Sequence, residues 1–170
     1  MSSPFVFHSE PFTSIDSAAR ADELSCDFRK PCCWHSLNDD SEWQIRSGRT
    51  ININEFRRTF LVGRSRSPPA GNYLLQNDFK DLTSFGSCPF CSSDTSGNRL
   101  TRFRHWQSPT ARLKLCWRRW GQAAIRAENC HPAEPSRQSQ VISQKLVVPV
   151  GVDVQVNAVL ISSRSAIMDR

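Results

Sequence analysis

The side chains best able to do chemistry in this chain are its seven cysteines and four histidines. Reduced, such cysteines bind metal as thiolates; oxidised, they cross-link the fold. Cys88-x2-Cys91 has the spacing of half a zinc knuckle, with His105 or Cys116 as third ligand and His131, beside Cys130, as a more distant one. Tetrahedral zinc sites draw on four ligands, usually two close pairs, and here the second pair is missing. The disulfide reading is better supplied. Cys26 lies near both Cys32 and Cys33, and only one of these two neighbours can pair with it. Cys116 and Cys130 enclose 13 residues, a loop whose closure contributes about 3 kcal/mol in the chain-entropy account. Cys88 and Cys91 pair with each other, or one of them pairs outward. The odd count leaves a thiol over or a partner outside this sequence.

For catalysis the sequence offers no constellation. His8, His35, His105 and His131 stand outside any nucleophile motif, and there is no Gly-x-Ser-x-Gly, phosphate loop or His-Glu-x-x-His. We therefore expect a chain that is not an enzyme and holds no cofactor. Charge is the other signal. The net charge is +6, yet residues 1–55 carry nine carboxylates, while 95–127 carry none against eight Arg and Lys. Arg99, Arg102, Arg104, Arg112, Lys114, Arg118 and Arg119, with Trp106, Trp117 and Trp120 nearby, form the expected basic-aromatic surface. Such a surface binds nucleic acid or sulfated polysaccharide, or is simply a solvated sheet face.

The elements that position these residues look like short strands. Residues 1–22 are polar, Ser-rich and aperiodic, and are expected to be a loose leader; ordered structure over 23–170 forms one domain. Over 42–53, Trp43, Ile45, Thr50, Ile51 and Ile53 suggest a short strand, and 72–75 another. Residues 64–71 and 84–97 are punctuated like loops. Leu100 to Trp106 and Arg112 to Trp117 alternate with period two around Ser108-Pro109-Thr110, and so predict an antiparallel hairpin. Even-numbered apolar residues from Leu146 to Leu160 predict a further β segment, broken at Pro149-Val150-Gly151. The expected fold is all-β, an antiparallel sandwich stapled by disulfides. No stretch approaches the roughly 18 apolar residues of a membrane span. The first ten residues lack a basic region and an apolar run, so they are not a secretion signal, which suggests a fragment, a mis-started sequence or an intracellular protein.

Cys26-Asp27-Phe28, Cys32-Cys33-Trp34, the acidic turn before Trp43, Gly71-x-Tyr73, Leu100-x-x-Phe103-x-x-Trp106 and Ser165 to Asp169 occur in an order that resembles a MAM domain. The resemblance runs over about 24–170. It departs at Arg29, where the family has Glu, at Cys33, where it has Gly, and at its third cysteine, near Arg99 here. The family's last cysteine would fall beyond residue 170. The resemblance implies a jelly-roll-like sandwich in a secreted or cell-surface protein. Its expected partners are proteins or acidic glycans, with an intracellular nucleic-acid-binding, zinc-holding protein as the alternative. It also implies that Asp27, Asp39, Asp40, Glu42 and Asp169 approach one another as weak candidates for a cation site, which needs six to eight oxygens for calcium. Arg29 would repel that ion.

Overall fold

A computed structural model describes residues 24–30, 32–37, 43–60, 68–76, 82–91, 98–133, 142–161 and 166–169, and for 98–100, 142–143 and 166–169 the backbone alone. The leader expected over 1–22 and the loop over 92–97 lie outside the described residues. The described residues form eleven strands: β1 (Trp34–Ser36), β2 (Gln44–Ser47), β3 (Asn72–Gln76), β4 (Leu82–Ser87), β5 (Phe90–Cys91), β6 (Asn98–Gln107), β7 (Arg112–Arg119), β8 (Cys130–Pro132), β9 (Ile142–Val147), β10 (Asp153–Ile161) and β11 (Ala166–Asp169). Among the described residues one α-helix, α1 (Ile53–Phe60), lies between β2 and β3; the strand expected over 42–53 is thus only β2, and Ile53 opens the helix instead. The fold is all-β and antiparallel, as the alternation predicts.

The strands form two sheets, ordered β1-β4-β10-β7-β8 and β2-β3-β11-β6-β9, with β5 continuing the β4 side of β10. The two orders correspond position by position. Each place in one sheet is followed, along the chain, by the same place in the other. Among the described residues, one such connection, 108–111 between β6 and β7, is seen to pass from one sheet to the other. Arg112 pairs with Ile161 in the first sheet and Gln107 with Ala166 in the second, with 108–111 at the corner between β6 and β7. Along β6 and β7 the odd-numbered Phe103, Leu113 and Leu115 join one cluster, so alternation stays in phase across that corner.

This topology corrects the predicted hairpin. Leu100–Trp106 and Arg112–Trp117 are strands, but they do not pair with each other. β6 pairs with β9 and β11, and β7 with β8 and β10. The turn at Ser108-Pro109-Thr110 turns the chain between sheets instead of back along one. Gln107 fixes that corner. Its Oε1 accepts the Leu113 N–H at 3.1 Å, and its Nε2 donates to the Ala133 carbonyl at 3.2 Å. A second correction concerns 84–97, which is not wholly loop. Its first residues belong to β4, an inner strand whose Thr83, Ser84, Phe85, Gly86 and Ser87 are all buried. Between β4 and β5 the chain spends three residues against two of β10, a bulge. Ser87 fills it, its Oγ accepting the Val156 N–H at 3.1 Å.

One apolar cluster draws on both sheets: Phe85, Leu113, Leu115, Val154, Val156, Ala158 and Leu160 from the first, Leu74, Phe103 and Leu146 from the second. Trp34 and Trp43, the two tryptophans of the opening motif, lie against Phe85 at centroid distances of 6.0 and 5.6 Å. The far face of the second sheet has a core of its own. Asn52 caps α1 by accepting the N–H groups of Asn54 and Glu55, the expected role of Asn before a helix. The helix then lays Phe56 and Phe60 over Trp106 and Tyr73.

Candidate functional site

The cysteines resolve into three disulfides: Cys26–Cys32, Cys33–Cys88 and Cys116–Cys130. Cys32, not Cys33, closes the small loop, and Phe28 within it is buried with φ of 56°. Cys91 is free and exposed, so the pairing of Cys88 with Cys91 does not form. Cys33 reaches Cys88 because β1 and β4 are neighbours, with Trp34 opposite Ser87. Cys116 and Cys130 are themselves a register pair of β7 and β8. Neither partnership has a short-range sign in sequence, apart from the loop length of the last. Cys88 and Cys116 are thus cystine sulfurs, not thiolates, and the zinc set with Cys91 and His105 is not assembled.

His105 itself is fully buried and its ring lies tilted against Phe103, with centroids 5.3 Å apart. The Gln107 Nε2 lies 2.7 Å from its Nε2. The Gln107 amide orientation is set by its other two bonds, so its nitrogen donates and the imidazole accepts. The imidazole is therefore neutral, with its proton on Nδ1, which has no partner among the described residues. Burial pushes its pKa down to about 4. It is a core residue, not a ligand.

Of the weak cation candidates, Asp27 is exposed and pairs with Arg29 at 3.6 Å. Asp39, Asp40 and Glu42 lie outside the described residues, and for Asp169 only the backbone in β11 is described. Among the described residues no group of three metal-binding side chains gathers.

The basic run is divided by the corner. Arg102 and Arg104 belong to β6 in the second sheet, as does the backbone of Arg99. Arg112, Lys114, Arg118 and Arg119 belong to β7 in the first. Trp106 is buried beneath α1, and Trp117 packs against the main cluster. Arg112 turns back on the Pro109 and Ala111 carbonyls. One hairpin carrying all these residues on a shared surface is therefore not what the strands build.

Arg118 stands apart. It is only 7% exposed, and no carboxylate among the described residues pairs with it. Its Nε donates to Gln155 Oε1 at 2.8 Å and its Nη1 to the Ala123 carbonyl at 3.1 Å. Gln155, its register partner on β10, donates in turn to the Ser87 carbonyl at 2.7 Å. These residues occupy the face of the first sheet turned away from the apolar cluster. Asn157, Gly86 and His35 continue that face across β10, β4 and β1, since Asn157 and His35 both pair with Gly86. Asn157 is fully buried, and its Oδ1 lacks a partner among the described residues. Burial, and then the nearby Arg118 charge, lower the pKa of His35. Sequence reasoning grouped Arg118 with the exposed arginines. Its even position in a strand whose odd residues face the core gave no sign, because even-numbered Arg112 is on the same face and exposed.

No protein-family model matches the chain, and no curated protein matches it in sequence. Among solved structures, the enzymatically active domain of tailspike protein 4 of bacteriophage CBA120 is similar, with TM-score 0.50 and 8% identity over 86% of this chain. The matched region is 20% of that chain, so this sequence spans about a fifth of its length. At such identity the likeness concerns the fold alone.

Proposed function

We propose that this chain is a non-catalytic recognition module of MAM-like type, a sandwich carried by a secreted or cell-surface protein and acting through its surface on protein or acidic-glycan partners. The supporting observation is the cystine framework. Three disulfides tie an all-β fold of 170 residues, and such bonds persist in oxidising compartments. No described helix is long and apolar enough to cross a membrane. Mass spectrometry of unreduced peptides from protein in its own compartment is the test. The expected result is three cystine-linked pairs and one alkylatable thiol at Cys91; seven alkylatable thiols would sink the reading. The alternative, a nucleic-acid-binding protein, draws less support from the arrangement, because its arginines divide between two sheets. Tight, sequence-dependent binding to nucleic acid alone would nevertheless replace the module with that alternative.

A further inference from the structure

Gln107 makes three hydrogen bonds with one side chain. Its Oε1 accepts the Leu113 N–H at 3.1 Å, its Nε2 donates to the Ala133 carbonyl at 3.2 Å, and the same nitrogen lies 2.7 Å from His105 Nε2. The amide thus ties β6 to β7 and to the residue after β8, and so holds the corner between the sheets. Its two N–H groups go to Ala133 and to His105, and the second of these needs an unprotonated Nε2 on the imidazole. A proton on that nitrogen sets donor against donor. Turning the amide over satisfies His105, but sets donor against donor at Leu113 and acceptor against acceptor at Ala133. Once His105 is protonated, no orientation of Gln107 serves all three neighbours.

We propose that His105 and Gln107 form an acid-operated latch: a proton taken up by His105 frees Leu113 and Ala133 from Gln107 and opens the 108–111 corner, while the ladders of both sheets hold. A buried imidazolium is driven toward water, and the corner beside it already has Pro109 and Thr110 at the surface. Facing His105 are Phe103 on its own strand, Gln107, and the Leu113 and Ala133 backbones that share Gln107. Its register partner on β11 is Met168, described in backbone only. None of these ionises. Even-numbered Arg104 lies on the opposite face of β6, the one that carries Trp106 beneath α1. Glu134, next to Ala133 in sequence, lies outside the described residues. The opening stays local because other links remain. The Ala133 N–H still donates to the Leu113 carbonyl at 2.8 Å, and Cys116–Cys130 clips β8 to β7. The latch goes beyond the recognition reading above and does not rest on it.

The test is nuclear magnetic resonance of the disulfide-intact, nitrogen-15-labelled protein, titrated from neutral pH downward through the His105 midpoint at about 4. At neutral pH the imidazole carries its proton on Nδ1; a proton on Nε2 instead overturns the latch. As His105 titrates, the Leu113 amide signal shifts with the same midpoint. The Val156 amide, which donates to Ser87 Oγ in the β10 bulge, does not. A Leu113 signal that stays constant while His105 titrates rejects the proposal. So does the simultaneous loss of Leu113 and Val156, which is global unfolding. His105→Phe removes the Leu113 change, and its persistence there would assign it to another group. Glu134→Gln keeps the change; if it abolishes the change, the switch belongs to that carboxylate and not to His105. Should His105→Phe fold poorly, Gln107→Glu serves. Its carboxylate beside the ring favours the charged imidazole and raises the His105 midpoint by about 1–3 pH units; an unmoved midpoint overturns the contact.

Discussion

In the first sheet both edge strands are covalently tied to their inner neighbours, β1 to β4 through Cys33–Cys88 and β8 to β7 through Cys116–Cys130. In the second sheet the edges β2 and β9 carry no cross-link. The lengths explain the contrast. β1 and β8 have three residues each, too short a ladder to hold an edge by backbone hydrogen bonds. β9 has six, with Leu146 buried in the main cluster. β2 has four, but its end is gripped by close backbone contact: the Gly48 N–H donates to the Gly71 carbonyl at 2.8 Å. A Cβ on Gly48 would stand 1.9 Å from the Pro69 carbonyl oxygen. Cross-links therefore sit where the ladder is shortest, and packing serves where it is longer.

Four measurements bear on that contrast. The largest effect belongs to the covalent clips. Cys33→Ala with Cys88→Ala opens a loop with sequence separation 55 and is expected to lower unfolding free energy by about 4 kcal/mol. Cys116→Ala with Cys130→Ala, separation 14, should cost about 3 kcal/mol. Urea melts that reverse this order would show that strand tethering, not loop length, sets the contribution. Next comes acid, which acts on the sheet without clips. His105 is neutral when folded, with its pKa down from 6.5 to about 4. Below pH about 6.5 the unfolded chain takes up a proton that the folded one refuses, so stability falls as pH drops toward about 4. The loss is on the order of 3 kcal/mol at most. Urea melts of native protein and His105→Phe from pH 7 to 4.5 check it; equal slopes would break the assignment. Third, Gly48→Ala should cost about 2 kcal/mol, with the same increment in oxidised and reduced protein if the two edges are independent. The smallest effect is expected at exposed Cys91: Cys91→Ser should change stability by less than about 0.5 kcal/mol.

Much of the fold was legible because alternation is a local property. Arg112 to Trp117 and the even-numbered run from Leu146 to Leu160 announce strands by themselves, and Val150 is exposed where the run was expected to break. Pairing is not local, and there the reading failed. The nearest strand in sequence is not the neighbour in space, and the Gln107 bonds that turn the chain between sheets depend on Leu113 and Ala133. β4 was hidden by its own composition, since Ser84, Gly86 and Ser87 resemble a loop. They are tolerated within a sheet because Gly86 sits under Leu37 and the Ser87 hydroxyl fills a bulge. Helix α1 had a usable sign that was missed: Asn52, then Glu55, with Phe56 and Phe60 four apart. Of the candidate site, the cysteines were visible but Cys33–Cys88 was not, because it follows from the adjacency of β1 and β4. The buried state of Arg118 likewise depends on Gln155 and Ala123, which no pattern around Arg118 reveals.

The strand at the centre of each sheet, β10 and β11, comes from residues 153–169, after every other strand in sequence. During synthesis at roughly 5–20 residues per second, β4 and β7 emerge early and wait without the partner that belongs between them. In that interval the two nascent halves display unpaired ladder edges to each other and to other chains. Folding is then closed from the middle by the last segment to arrive, and many of the pairings formed at that moment span long stretches of sequence, the slow kind of contact. A ribosome-bound chain stopped before residue 153 should therefore remain protease-sensitive throughout, however complete its outer strands.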